Sequence, residues 1–136
     1  MSQSPTTPEY YPSTPLDGQA LPFSEAVRVG ETLYLSGQLG HLPGKRQLAP
    51  GGIGPETRQT MENIRVALER HGSSLDQVVK CTVFLADIRD WPAFNEVYVQ
   101  YFKKHLPARS ALAASGLALG ALVEVECVAY IPAAGK

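Results

Sequence analysis

Two charged residues stand apart from everything around them. Between Ala111 and Val123 the chain carries no charge, yet Arg109 precedes this apolar segment and Glu124 follows it. Arginine presents a planar fork of donors matched to a carboxylate. A glutamate set against apolar surroundings has its pKa raised toward the range useful for moving protons. Together they suggest chemistry on a small carboxylate. In a strand, Glu124 and Glu126 share a face while Val123, Val125 and Cys127 share the other, and paired carboxylates raise one another's pKa. The same residues also suit a solvated strand face with Arg109 salt-bridged to one of the glutamates.

Other candidates are weaker. His41, His71 and His105 have no ligand-like spacing, so no metal site is expected. His71 and His105 read as residues of last helical turns, where the dipole favours them. Gly51-Gly52-Ile53-Gly54 could hold an anion before a helix, but it lacks the lysine of a phosphate loop. No nucleophile elbow surrounds Ser36, Ser110 or Ser115, and neither cysteine has a neighbouring histidine. Lys103-Lys104-His105 reads as a solvated helix end.

The elements that must position these residues follow from patterning. The 136 residues suit one domain with a real core, and 44% hydrophobic against 18% charged residues is the balance of a globular protein. A net charge of -1 offers no general attraction to phosphate backbones or anionic membranes. Cys81 and Cys127 lie in apolar runs and read as reduced, buried thiols of a cytoplasmic protein. No segment has the run of a membrane span, and no signal-peptide pattern opens the chain.

Residues 1–19, rich in Pro, Ser and Thr, read as a flexible tail ahead of a single domain over 20–136, with Tyr10-Tyr11 available to dock on the body. Ala26–Val29 and Leu33–Ser36 form a hairpin around Gly30-Glu31. After a glycine- and proline-rich loop, a helix starts at Gly54-Pro55-Glu56, buries Met61, Ile64, Ala67 and Leu68, and stops at Gly72. Val78–Ala86 is a central strand. Asp90 caps a second helix with Phe94, Val97, Tyr98, Tyr101 and Phe102 on its apolar face, ended by Pro107. Strands near Ala108–Ala114 and Ala121–Ile131 complete a ββαβαββ order. That order predicts an α+β fold, a mixed sheet with two helices on one face. The uncovered face predicts an oligomer.

Several of these pieces, in this order, resemble one family. Ser36-Gly37-Gln38, Glu56-Thr57-Arg58-Gln59 to Asn63, Val79 to Val83, Phe94 to Tyr98, Pro107-Ala108-Arg109-Ser110 and Val123 to Glu126 are similar to the motifs of RidA/YjgF reactive-intermediate deaminases. The match runs from about Ala20 to Ile131. The resemblance implies a chorismate-mutase-like homotrimer whose sheets form a central barrel, with clefts between subunits. It implies cofactor- and metal-free hydrolysis of 2-iminopropanoate and 2-iminobutanoate to 2-keto acids and ammonia. Arg109 would hold the substrate carboxylate and Glu124 would activate water. Phe23, Ser36, Gly37 and the backbone of Ala111 would line the cleft. Two departures stand out. The family's cleft tyrosine is Phe23 here, and Leu117-Ala118-Leu119-Gly120 lacks the usual proline and charge. Two other roles follow from the resemblance or the site: an endoribonuclease or translation inhibitor, disfavoured by the charge balance, and a non-catalytic binder of small carboxylates anchored on Arg109.

Overall fold

A computed structural model describes residues 7–133 of the chain. Six strands and two helices follow in the order β1 (Glu9–Pro12), β2 (Ser24–Val29), β3 (Thr32–Leu39), α1 (Ile53–Arg70), β4 (Val78–Leu85), α2 (Trp91–Tyr98), β5 (Ala108–Ala113) and β6 (Val123–Tyr130). They form one mixed sheet in the order β1-β2-β3-β6-β4-β5, in which only β4 and β5 run parallel. The expected α+β architecture is what the chain adopts, with one strand added.

Alternation along the strands decides which face the helices cover. Leu33 and Leu35 of β3, Cys81, Val83 and Leu85 of β4, and Val123, Val125, Cys127 and Ala129 of β6 are buried and join one core. The helices contribute Met61, Ile64, Ala67 and Leu68 from α1, with Phe94 and Tyr98 from α2. Burying side chains of this size contributes roughly 1.5–3 kcal/mol each. Among the described residues, no helix covers the opposite face. It leaves Tyr34 (50% exposed), Leu112 (44%) and Tyr130 (45%) open to solvent, alongside half-buried Phe84 and Val128. These form an apolar surface on the uncovered side of the sheet.

The flexible-tail reading of 1–19 needs correction over its second half. Glu9–Pro12 is an edge strand that pairs Tyr10 with Val27 and Tyr11 with Ala26. Tyr11 stacks on His71 at 4.4 Å between ring centroids. Leu16 and Gln19 exchange backbone bonds, and Asp17 accepts from the Arg46 amide at 2.9 Å. Four residues ending in proline carry no readable period, so the neighbouring edge of β2 and the His71 ring specify this strand. Residues 1–6 of the expected tail lie outside the described residues.

The second helix is also shorter than its apolar face suggests. It ends at Tyr98 and tightens into a 3-10 turn over Val99–Tyr101, which brings Phe102 into the core well before Pro107. His105 therefore lies in a loop, bonded to the Asp76 carbonyl at 2.8 Å, rather than in a last helical turn. Asp90 sits at the start of α2 without bonding a helix amide, while Asp87 accepts from the Arg89 amide one turn earlier.

Candidate functional site

Sheet register places Arg109 and Glu124 on opposite faces. Arg109 pairs with Cys81, which pairs with Cys127, so the arginine projects to the helix side with those buried thiols. Glu124 pairs with Phe84, which pairs with Leu112, on the uncovered side. The rows are three residues apart, about 10 Å along the strands, and Arg109 lies two strands from Glu124, about another 10 Å. One chain therefore does not bring the two together, nor does it join Arg109 to either glutamate as a salt bridge.

The Arg109 half of the site is an aromatic clamp. The guanidinium carbon lies 5.1 Å from the Trp91 ring, 5.7 Å from Phe94 and 4.9 Å from Tyr98, distances at which a cation is attracted by ring faces. Nη1 donates to Asn95 Oδ1 at 2.8 Å. Held from α2 in this way, the planar fork has donors left for a carboxylate. Asn95, Tyr98, Val99, Leu106 and Pro107 form a shallow recess of about 270 Å³ around it. Ala111 shares this face and packs partly against the core. Since β5 is the outermost strand, half of its amides point away from the sheet.

Glu124 anchors the other half. Its side chain lies directly over Gly37: a Cβ added there would meet the Glu124 carboxyl carbon at 3.0 Å and Cγ at 3.2 Å, with Oε2 nearer still. Glycine at 37 is thus what admits the carboxylate. Burial, and then the neighbouring Glu126 charge, push the Glu124 pKa above its ordinary 4.5. Gly37 also borders a cavity of about 460 Å³ that includes Phe23 and Leu119. Ser36, by contrast, uses its hydroxyl to bond the Ser24 carbonyl at 2.7 Å, tying β3 to β2.

Glu56 and Asn95 have roles that composition and spacing did not reveal. Glu56 is 4% exposed. It accepts from the Leu122 amide at 2.7 Å and the Val123 amide at 3.4 Å, fixing the start of β6 immediately before Glu124. Burial raises its pKa in spite of those amides. Its sequence signals were an acid in the first turn of a helix and its place in the Glu56-to-Asn63 motif, neither of which points to β6. Asn95 could have been found from the register of α2 over β5, which a sequence does not contain. Leu119 is a third such residue: its φ of 59° is left-handed, a conformation costing an ordinary L-residue roughly 1 kcal/mol.

Among the described residues, no three His, Cys, Asp or Glu side chains gather as a metal site, and no helix is long and apolar enough to cross a membrane. Cys81 and Cys127 are free thiols with their sulfurs 3.0 Å apart. The hydrogen bond with Cys81, together with burial, holds Cys127 well above the usual thiol range.

The helix-backed mixed sheet thus carries a guanidinium on one face and a carboxylate of raised pKa on the other. The chain belongs to the family described as endoribonuclease L-PSP, whose model matches residues 17–131, the RidA/YjgF family of the sequence motifs. A 2-iminobutanoate/2-iminopropanoate deaminase of Capra hircus is 47% identical over 108 residues, covering 79% of each chain. The deaminase of that name from Homo sapiens is 44% identical over the same length and coverage. A crystal structure of a Rid-family protein from Yersinia pestis superposes with a TM-score of 0.84 at 33% identity, covering 92% of this chain and all of that one.

Proposed function

We propose that this protein hydrolyses 2-imino acids to 2-keto acids and ammonia, in clefts that two copies of the chain complete together. The observation that carries this reading is the Glu124 carboxylate, half-buried over Gly37 with a raised pKa, and without a hydrogen-bond partner among the described residues. The names of relatives at 44–47% identity support the same reaction.

In this mechanism Arg109 of one copy takes the substrate carboxylate as a bidentate pair, while Trp91, Phe94, Tyr98 and Asn95 hold the guanidinium in place. Glu124 of a neighbouring copy takes a proton from water as its oxygen attacks the imine carbon. The same carboxyl then returns the proton to nitrogen. As the carbinolamine collapses, its hydroxyl proton passes through the same carboxylate to the departing nitrogen, forming the keto C=O and releasing ammonia, so the net change is addition of one water and loss of one ammonia. An enamine enters after protonation at carbon. Outward-facing amides of β5 near Ala111 orient the water. A homotrimer burying Tyr34, Phe84, Leu112 and Tyr130 at its centre brings the edge strand of one copy beside Glu124 of the next.

Imines generated in situ from alanine or 2-aminobutyrate by an amino-acid oxidase test the reaction. Wild type should accelerate hydrolysis over buffer, with Arg109→Ala and Glu124→Gln each losing at least about 100-fold. Equal rates for wild type and Arg109→Ala would defeat the reading.

A further inference from the structure

Two nucleophilic groups are left over by the proposed reaction, and the fold sets them face to face. Cys81 of β4 and Cys127 of β6 are direct partners across an antiparallel pair. Such partners have Cα atoms about 4.5 or 5.5 Å apart, and both values fall inside the roughly 4.4–6.8 Å that a disulfide spans. Both side chains are buried on the helix side of the sheet, with their sulfurs 3.0 Å apart. Closing to a covalent S–S bond needs a shift of about 1 Å. A single buried cysteine packs as a small hydrophobe; two on one register pair form a dithiol.

The surroundings of the pair favour a thiolate at Cys81. Its register partner on β5 is Arg109. The hydrogen bond with Cys127, helped by the Arg109 charge, lowers the Cys81 thiol from its ordinary range in spite of burial, a condition that favours attack by a cysteine. The Tyr98 hydroxyl is buried and has no hydrogen-bond partner among the described residues, although it lies near enough to Cys81 to act on that thiol. A buried hydroxyl without an acceptor is costly. Tyr98 and Arg109 also line the recess of about 270 Å³, so a small molecule seated there is separated from Cys81 by these two side chains.

We propose that Cys81 and Cys127 are a peroxide-oxidised dithiol, with Cys81 as the attacking thiol and Cys127 as the resolving one. This site goes beyond the deaminase reading and does not depend on it. The Cys81 thiolate attacks one oxygen of hydrogen peroxide; an S–O bond forms, the O–O bond breaks, and the departing hydroxide takes the proton that Cys81 gave up and leaves as water. The sulfenic oxygen gives the Tyr98 hydroxyl the acceptor it lacks. Cys127 then attacks the Cys81 sulfur. The S–S bond forms as the S–O bond breaks, and the second hydroxide leaves as water with the Cys127 proton. Two thiols and one peroxide become one disulfide and two waters, and exchange with an external thiol restores the dithiol.

Hydrogen peroxide added to the folded wild-type protein tests this, with catalase to stop the reaction and iodoacetamide added in denaturant to count the thiols by intact mass. The expected product has lost two hydrogens, takes no alkyl group, runs as a single chain on a non-reducing gel, and regains both thiols with dithiothreitol. Cys127→Ser should stop at a sulfenic acid that dimedone labels on the Cys81 peptide, whereas Cys81→Ser should resist labelling. Tyr98→Phe, which keeps the ring and removes the hydroxyl, should slow disulfide formation by about threefold, the worth of one hydrogen bond. Wild type that keeps both alkylatable thiols, under peroxide that oxidises free cysteine in the same tube, would overturn the proposal. Sulfinic or sulfonic acids in place of the disulfide, chains cross-linked to one another, or equal dimedone labelling of the two serine variants would overturn it too. The thiol count is made on the wild-type protein, so it does not hinge on a variant folding.

Discussion

Replacing Gly37 by alanine should disable the site while sparing the fold. The backbone at Gly37 is not among the left-handed glycines, so alanine meets no conformational penalty there, and reduced freedom of the unfolded chain favours the variant by about 0.4–1 kcal/mol. Against this, the new methyl falls 3.0 Å from the Glu124 carboxyl carbon and closer to Oε2. The carboxylate must retreat by about 1 Å, a misplacement that costs roughly 100-fold in rate, or about 2.7 kcal/mol of transition-state stabilisation. The melting temperature should move by less than ~5 °C. Hydrolysis of the imines measured alongside thermal unfolding separates the two effects. Adding Gly37→Ala to Glu124→Gln should produce almost no further loss, because both act on one group. A Gly37→Ala enzyme within threefold of wild type, or a full second loss in the double variant, would refute the placement of Glu124.

With Glu124 as the proposed base, its raised pKa should place the acidic limb of the rate profile above the ordinary 4.5. Glu126→Gln removes the second cause and should shift that limb to lower pH, read from kcat/KM across pH 4–8. Glu56 also titrates above 4.5 when folded. The native state therefore holds the extra proton above that pH, and this group's contribution to stability falls as pH rises through the folded value. Urea midpoints should show Glu56→Gln gaining on wild type between pH 4 and 7. Glu25 is buried between Arg70 at 2.6 Å and His71 at 2.7 Å. Glu25→Ala should cost about 2 kcal/mol at neutral pH, less than a fully buried pair because Arg70 is half exposed, seen as a lower urea midpoint.

The fold was legible wherever one period dominates. Val78 to Leu85 reads as a central strand from its β-branched run, and Met61, Ile64 and Leu68 mark the buried face of α1 without help from tertiary contacts. Glu9–Pro12 was not legible, since its pairing belongs to the edge of β2 and the ring of His71. The sharing of one face by Glu124 and Glu126 follows from strand alternation alone. Placing Arg109 on the opposite face does not, because that depends on the register of β5 on β4 and of β4 on β6. The cavity beside Gly37 is lined by Leu16 and Leu21 in irregular backbone, Val66 on a helix and Leu119 in a left-handed turn, residues with no common spacing to link them.

Subunit complementation tests the central claim most directly. Arg109→Ala and Glu124→Gln chains, each inactive alone, should recover activity when co-expressed in equal amounts. With the two groups contributed by different copies, roughly a quarter of the clefts in randomly mixed oligomers carry both wild-type residues. About a quarter of wild-type activity, in a species near 44 kDa, three times the 14.7 kDa chain, is the expected result. Mixed oligomers as inactive as either parent would contradict the divided site.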